Sequence, residues 1–139
     1  MDDYKIFISH GSKDAWIAGQ IAKEVRSLGG ATFLDETDIP KGNLDFKRII
    51  LEEIKASNEL IVLFTPQSQM RSWVWIEMGA AWGRDIPVVA VFYGMEASDL
   101  EDTGQGKGFL ENSNILTLDD LNNEYLNQLR LRIEKAARS

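Results

Sequence analysis

Glu77 follows Trp73 by four residues in the stretch SWVWIEMGAAWG (72–83), with Trp75 and Trp82 close by. Residues four apart are neighbours on a helix surface, so the Trp73 ring and the Glu77 carboxylate can touch, setting a negative charge against an aromatic wall. A second stretch able to do chemistry is SHGSKD (9–14). There the backbone N–H groups of Gly11 and Ser12, beside a helix start and with Lys13 adding charge, could accept a phosphate. Each stretch also has a plain reading. Trp73 packs under a loop and Glu77 is a solvated helix residue; Ser12 only caps a helix and His10 closes a strand. Trp16 either flanks an apolar stripe or touches a ligand. GQGKG (104–108) imitates a dinucleotide fingerprint, but it neither follows a strand nor opens a helix, so it carries no assignment.

The frame that positions these residues is an alternation of apolar runs and helical periods. YKIFISH (4–10) reads as a buried strand; the segment after it carries Ser12 as cap, Ile17, Ile21, Val25 and Leu28 on one face, and Gly29 as stop. ATFLD (31–35) is a second strand and ETDIPKGN (36–43) a loop punctuated by Pro40 and Gly42. Phe46, Ile49, Ile50 and Ile54 mark a second helix. ELIVLFT (59–65) and IPVVAVFY (86–93) are continuous apolar runs of strand length, the mark of strands covered on both faces. A polar, Gly-rich loop (96–112), a short strand NILTL and a last helix from about Leu121 to Ala137 complete the chain. Five strands alternating with helices predict an α/β fold with an open parallel sheet, in the order 2-1-3-4-5, whose ligands sit beyond the carboxyl ends of the strands.

Helical phase then assigns the tryptophans. At about 100° per residue, Trp75, Met78, Gly79 and Trp82 form a stripe facing the sheet, while Trp73, Glu77, Ala80 and Arg84 lie opposite. Trp75 and Trp82 are thus expected in the core, and Trp73 near the carboxyl edge.

Composition excludes several classes. A chain of 139 residues without a composition break predicts one domain over 1–139. With no cysteine and a single histidine, His10, it offers neither a disulfide framework nor a thiolate or histidine-built metal site. A net charge of -7 opposes binding to nucleic acid or an anionic membrane surface. No apolar run reaches membrane-spanning length and the N-terminus MDDYK is acidic, which predicts a cytoplasmic protein. A phosphoryl-accepting receiver domain shares the architecture, but Ser9-His10, Thr65-Pro66 and Thr117-Leu118 stand where it needs acidic residues and a lysine.

KIFISHGSKDAWIA, DIPKGN and WVWIE, in that order, resemble TIR (Toll/interleukin-1 receptor) domains, particularly bacterial ones, over most of the chain. The resemblance implies a flavodoxin-like fold and cleavage of the nicotinamide–ribose bond of NAD, to ADP-ribose or a cyclic isomer, in prokaryotic immune signalling. NAD is then the substrate and no cofactor is needed. Trp73 and Glu77 match the family's WxxxE pattern, which makes Glu77 the catalytic residue. Ser9, His10, Gly11, Ser12 and Lys13 match the substrate-lining loop. The loop from Asp35 to Leu44, with Gly42, matches the BB loop, which borders the site and mediates self-association. Several relatives have a bulky aromatic after the loop glycine, where this chain has Asn43 and Leu44. A sensor domain or effector partner is also implied. Two other classes remain: a non-catalytic TIR interaction module, and a nucleoside deoxyribosyltransferase-like enzyme with Glu77 as nucleophile.

Overall fold

The computed structural model describes residues 3–34, 45–66, 72–96 and 114–138, with residues 12, 46, 72, 73, 75 and 114 described by their backbone alone. The loop Asp35 to Leu44, with Gly42, and residues 97–112 lie outside that description. Strands β1 (Lys5–Ser9), β2 (Ala31–Leu34), β3 (Glu59–Phe64), β4 (Val88–Phe92) and β5 (Asn114–Thr117) form one sheet in the order β2-β1-β3-β4-β5. Every pairing is parallel, with Ser9 level with Val62 and Ile6 level with Glu59. Helices α1 (Ala15–Ser27), α2 (Phe46–Lys55), α3 (Ser72–Trp82) and α4 (Leu126–Ala137) cover the sheet. The predicted sheet order is the observed one.

Side chains alternate across a strand, so each central strand feeds two cores. Ile6, Ile8, Ile61, Leu63, Val89 and Val91 point to one face, where Ala18, Ile21, Ala22 and Val25 of α1 and Leu126, Leu129 and Ile133 of α4 cover them. Phe7, Leu60, Val62, Phe64, Ala90 and Phe92 point to the other, beneath Ile50 and Ile54 of α2 and Val74, Met78 and Ala81 of α3. Coverage on both faces is why the strands read as unbroken apolar runs.

Three local expectations are corrected. The stripe that α3 turns to the sheet is Val74, Glu77, Met78 and Ala81, so Glu77 is buried and Trp82 is 54% exposed. The helix is apolar nearly all round, and such a sequence carries little phase; the side chains of Trp73 and Trp75 lie outside the description. Ser12 does not cap α1: residues Ser12–Asp14 form a single 3₁₀ turn, and Asp14 holds the N-cap position. The last helical segment starts at Leu118 rather than Leu121. Thr117 accepts from the Asp120 N–H at 3.1 Å while the Asp120 carboxylate accepts from the Thr117 N–H, a capping box. A π-helical stretch, Leu121–Tyr125, then leads into α4.

Asp85 adopts a φ of 58° at the C-terminus of α3, where the Ile86 N–H reaches back to the Ala81 carbonyl and the Asp85 N–H to that of Trp82. This left-handed position after a helix favours glycine, because a Cβ crowds the following carbonyl. Asp85→Gly is expected to stabilise the protein by about 0.5–1 kcal/mol. Chemical denaturation measures it, and an unchanged or lower midpoint would count against the strain.

Candidate active site

The carboxyl ends of β1 and β3 carry a cluster of buried polar residues: Ser9, His10, Asp14, Thr65 and Glu77. Their placement follows from strand parity. Ser9 shares the face of Phe7, beneath α2 and α3, and from there its hydroxyl donates to Glu77 Oε1 at 2.6 Å. Thr65 continues the parity of Ile61 and Leu63, toward α1, and its hydroxyl donates to Asp14 Oδ2 at 2.7 Å. Two hydrogen-bonded pairs therefore straddle the edge of the sheet, one on each face. Between them runs the β1–α1 connection. His10 Nδ1 lies 2.8 Å from the Gly11 carbonyl, which can only accept, so Nδ1 is the donor in that contact. The same carbonyl accepts from the Asp14 N–H at 3.0 Å, closing the 3₁₀ turn.

Glu77 is 1% exposed. Glutamate is almost never buried to that degree without partners, and an O–H···O⁻ distance near 2.6 Å is in the range of a charge-assisted bond. Chemically, this is a carboxyl group held at the edge where open parallel sheets bind ligands, in surroundings where a charge is screened little.

A family model for TIR domains matches residues 6–130. The chain belongs to the TIR domain family. No curated protein matches its sequence. Among solved structures, this TIR domain is similar to the TIR domains of the activated Roq1 resistosome that directly recognises the pathogen effector XopQ. That match has 16% identity over 96% of this chain and 99% of that one, with a TM-score of 0.65. It is also similar to the TIR domain of the Toll-related receptor TRR-2 from Hydra magnipapillata, at 19% identity over 94% and 98% of the two chains, TM-score 0.70. A third is a metazoan TIR-STING receptor from C. gigas in complex with 2′,3′-cGAMP, at 23% identity and TM-score 0.69. There the match covers 92% of this chain but 38% of the receptor. At these identities the likeness is one of fold.

Of the expected site residues, the TIR domain brings Ser9, His10 and Glu77 together at the carboxyl edge, with Gly11 buried beside them. Lys13 is exposed, and Gly11 and Ser12 head the 3₁₀ turn rather than α1 itself. The backbone of Trp73 lies one helical turn before Glu77, while Asp35, Gly42 and Leu44 fall outside the described residues. Trp16 is 75% exposed and does not pack beside the apolar stripe. Asp14 and Thr65 are edge residues that the sequence reading did not single out. Thr65, the polar residue ending the most apolar strand, was the available signal. A surface groove along α2, rimmed by Asp45, Arg48, Glu52, Lys55 and Arg84, includes none of the edge pairs. Among the described residues no group of three or more His, Asp or Glu could hold a metal ion, and no helix is long and apolar enough to cross a membrane.

A second buried carboxylate, Glu59, sits at the opposite end of β3 and differs in kind. Arg132 of α4 donates Nε and Nη2 to its two oxygens at 2.8 and 2.9 Å, Tyr125 donates its hydroxyl at 2.5 Å, and Tyr4 donates from β1's approach. The Arg132 guanidinium also lies 5.4 Å from the Tyr125 ring centre. Burial first, then the bond to Glu59, pushes the Tyr4 phenol up to about 12. With a bidentate cation and two hydroxyls, this carboxylate is a structural clamp between β3 and α4.

Proposed function

We propose that this TIR domain cleaves the nicotinamide–ribose bond of NAD, with Glu77 as its catalytic carboxylate. The observation that carries the reading is the Ser9–Glu77 pair: a buried carboxylate, hydrogen-bonded by the last residue of β1, at the ligand-binding edge of the sheet. The reaction suits one carboxylate. The pyridinium leaving group takes the electrons of the breaking C–N bond and departs neutral, so no general acid has to protonate it. Positive charge then develops on the ribose, and a fixed carboxylate beside it stabilises that charge. Water captures the ribosyl cation to give ADP-ribose, its oxygen shedding a proton; an internal nucleophile gives a cyclic isomer, a hydroxyl likewise shedding a proton and a ring nitrogen, which has none, taking up the positive charge.

Because Glu77 is 1% exposed, ribose reaches it only after the groups covering it move aside. Such a covered site suits an enzyme switched on by self-association, the role that the resemblance gives the loop Asp35 to Leu44. Incubation of the 139-residue chain with NAD at rising protein concentration, followed by chromatography of the nucleotides, tests both statements. The expected result is nicotinamide with ADP-ribose or a cyclic isomer, formed at a rate that rises faster than linearly with protein. Linear activity down to nanomolar protein would show that the monomer is complete. No loss of NAD at any concentration, alone or with candidate partners, would favour a scaffold that only binds other TIR domains. Nucleoside turnover in its place would favour a deoxyribosyltransferase-like enzyme.

A further inference from the structure

We infer that Ser9 is a positioning residue for Glu77, fixing the carboxylate in its working orientation rather than contacting substrate. The inference rests on the glycohydrolase reading above and deepens it. Ser9 is fully buried and is the last residue of β1, held by the ladder level with Val62 of β3. Its Cβ projects to the face occupied by Phe7, Val62 and Phe64, the apolar strand neighbours among the described residues. A hydroxyl on such a face costs stability unless it is paired, and its pair is Glu77, 68 residues away in sequence. A serine has one O–H to give. Here it is given to Oε1 at 2.6 Å, so Ser9 has no second proton for a ribose or phosphate oxygen.

The bond has two consequences for the carboxylate. It stabilises the ionised form, since the hydroxyl donates to negative charge. It also ties the flexible Glu77 side chain on α3 to the central β1–β3 ladder, so that the charge lies where it is needed before substrate arrives. Such an interaction acts in the transition state more than in ground-state binding. Its loss therefore falls on kcat and spares KM.

The test is a kinetic cycle on the 139-residue chain. Ser9→Ala is expected to lower kcat for NAD cleavage by about 10-fold while KM changes by less than about threefold. Ser9→Thr, which keeps the hydroxyl, is expected to recover most of the rate. In a Glu77→Gln background, Ser9→Ala should cost less than about twofold more, because residues acting as a unit are not additive. Native circular dichroism and a melting temperature well above that of the assay guard against a merely structural effect. The inference is overturned if folded Ser9→Ala keeps its kcat, if its KM rises at constant kcat as for a substrate contact, if Ser9→Thr, natively folded, is as slow as Ser9→Ala, or if the two penalties multiply. A wild type that consumes no NAD is a different result, and removes the glycohydrolase reading together with this one.

Discussion

Glu77→Gln is expected to lower the proposed NAD cleavage by at least ~100-fold and to leave the fold intact, the scale for losing one preorganised electrostatic group. The substitution is nearly isosteric. The amide oxygen can still accept the Ser9 hydroxyl, and Val74, Met78 and Ala81, which share the buried stripe, are untouched. What disappears is the negative charge. If Glu77 were only a packing residue of α3, exchanging it for an uncharged group of the same shape would leave turnover unchanged. Steady-state kinetics with nucleotide chromatography gives the rate, and circular dichroism with a thermal melt reports the fold. A natively folded Glu77→Gln protein that consumes NAD at the wild-type rate would remove Glu77 from the chemistry. The comparison requires protein concentrations at which the wild type is active, since the site is covered at rest.

Arg132→Met is expected to melt well below the wild type. Glu59 is 3% exposed at its side chain, and Arg132 supplies both hydrogen bonds of the fork and, among the described residues, the only cation bonded to it. Methionine fills the volume but leaves the carboxylate with two phenols and no positive charge. Breaking a fully buried pair costs about 3–5 kcal/mol. Because the Arg132 side chain is 40% exposed, water can partly replace it, so about 2–3 kcal/mol is expected. For a chain of this size that corresponds to a drop of roughly 10 °C in melting temperature. Adding Glu59→Gln to the variant should return part of the loss by removing the stranded charge. A single variant melting within a degree or two of the wild type would mean that solvent and the tyrosines satisfy Glu59 unaided.

Both carboxylates show where sequence was legible and where it was not. The strands could be read directly, since an all-parallel sheet with helices on both faces leaves ELIVLF and VVAVF unbroken by polar residues. Helix α1 was legible because its polar face is plain. Helix α3 was not: with Trp, Val, Ile, Met and Ala on every side, periodicity cannot select a phase, and a lone glutamate reads as the solvent side. Its true direction depends on Ser9, 68 residues away, a partner that no local pattern announces. The same holds for Thr65 with Asp14 and for Glu59 with Arg132, separated by 51 and 73 residues. The Thr117–Asp120 capping box is a different case. It is local, and its signature places the helix start three residues before the first strongly apolar period at Leu121. The candidate site itself was reached through motif resemblance, because the spacing of Trp73 and Glu77 fits many helices.

Ser9 lies level with Val62, three residues or about 10 Å of strand beyond Glu59. The two carboxylates also occupy opposite faces, Glu59 bonded to α4 and Glu77 carried by α3. Their described hydrogen-bond partners differ, Ser9 for Glu77 and Tyr4, Tyr125 and Arg132 for Glu59, so their mutational effects should add rather than interact. The domain is in this sense modular within a single sheet. Substitutions that strengthen the Glu59 end can offset drift at the Glu77 end, and the residues of the Glu77 edge can vary without each change having to preserve the whole fold unaided.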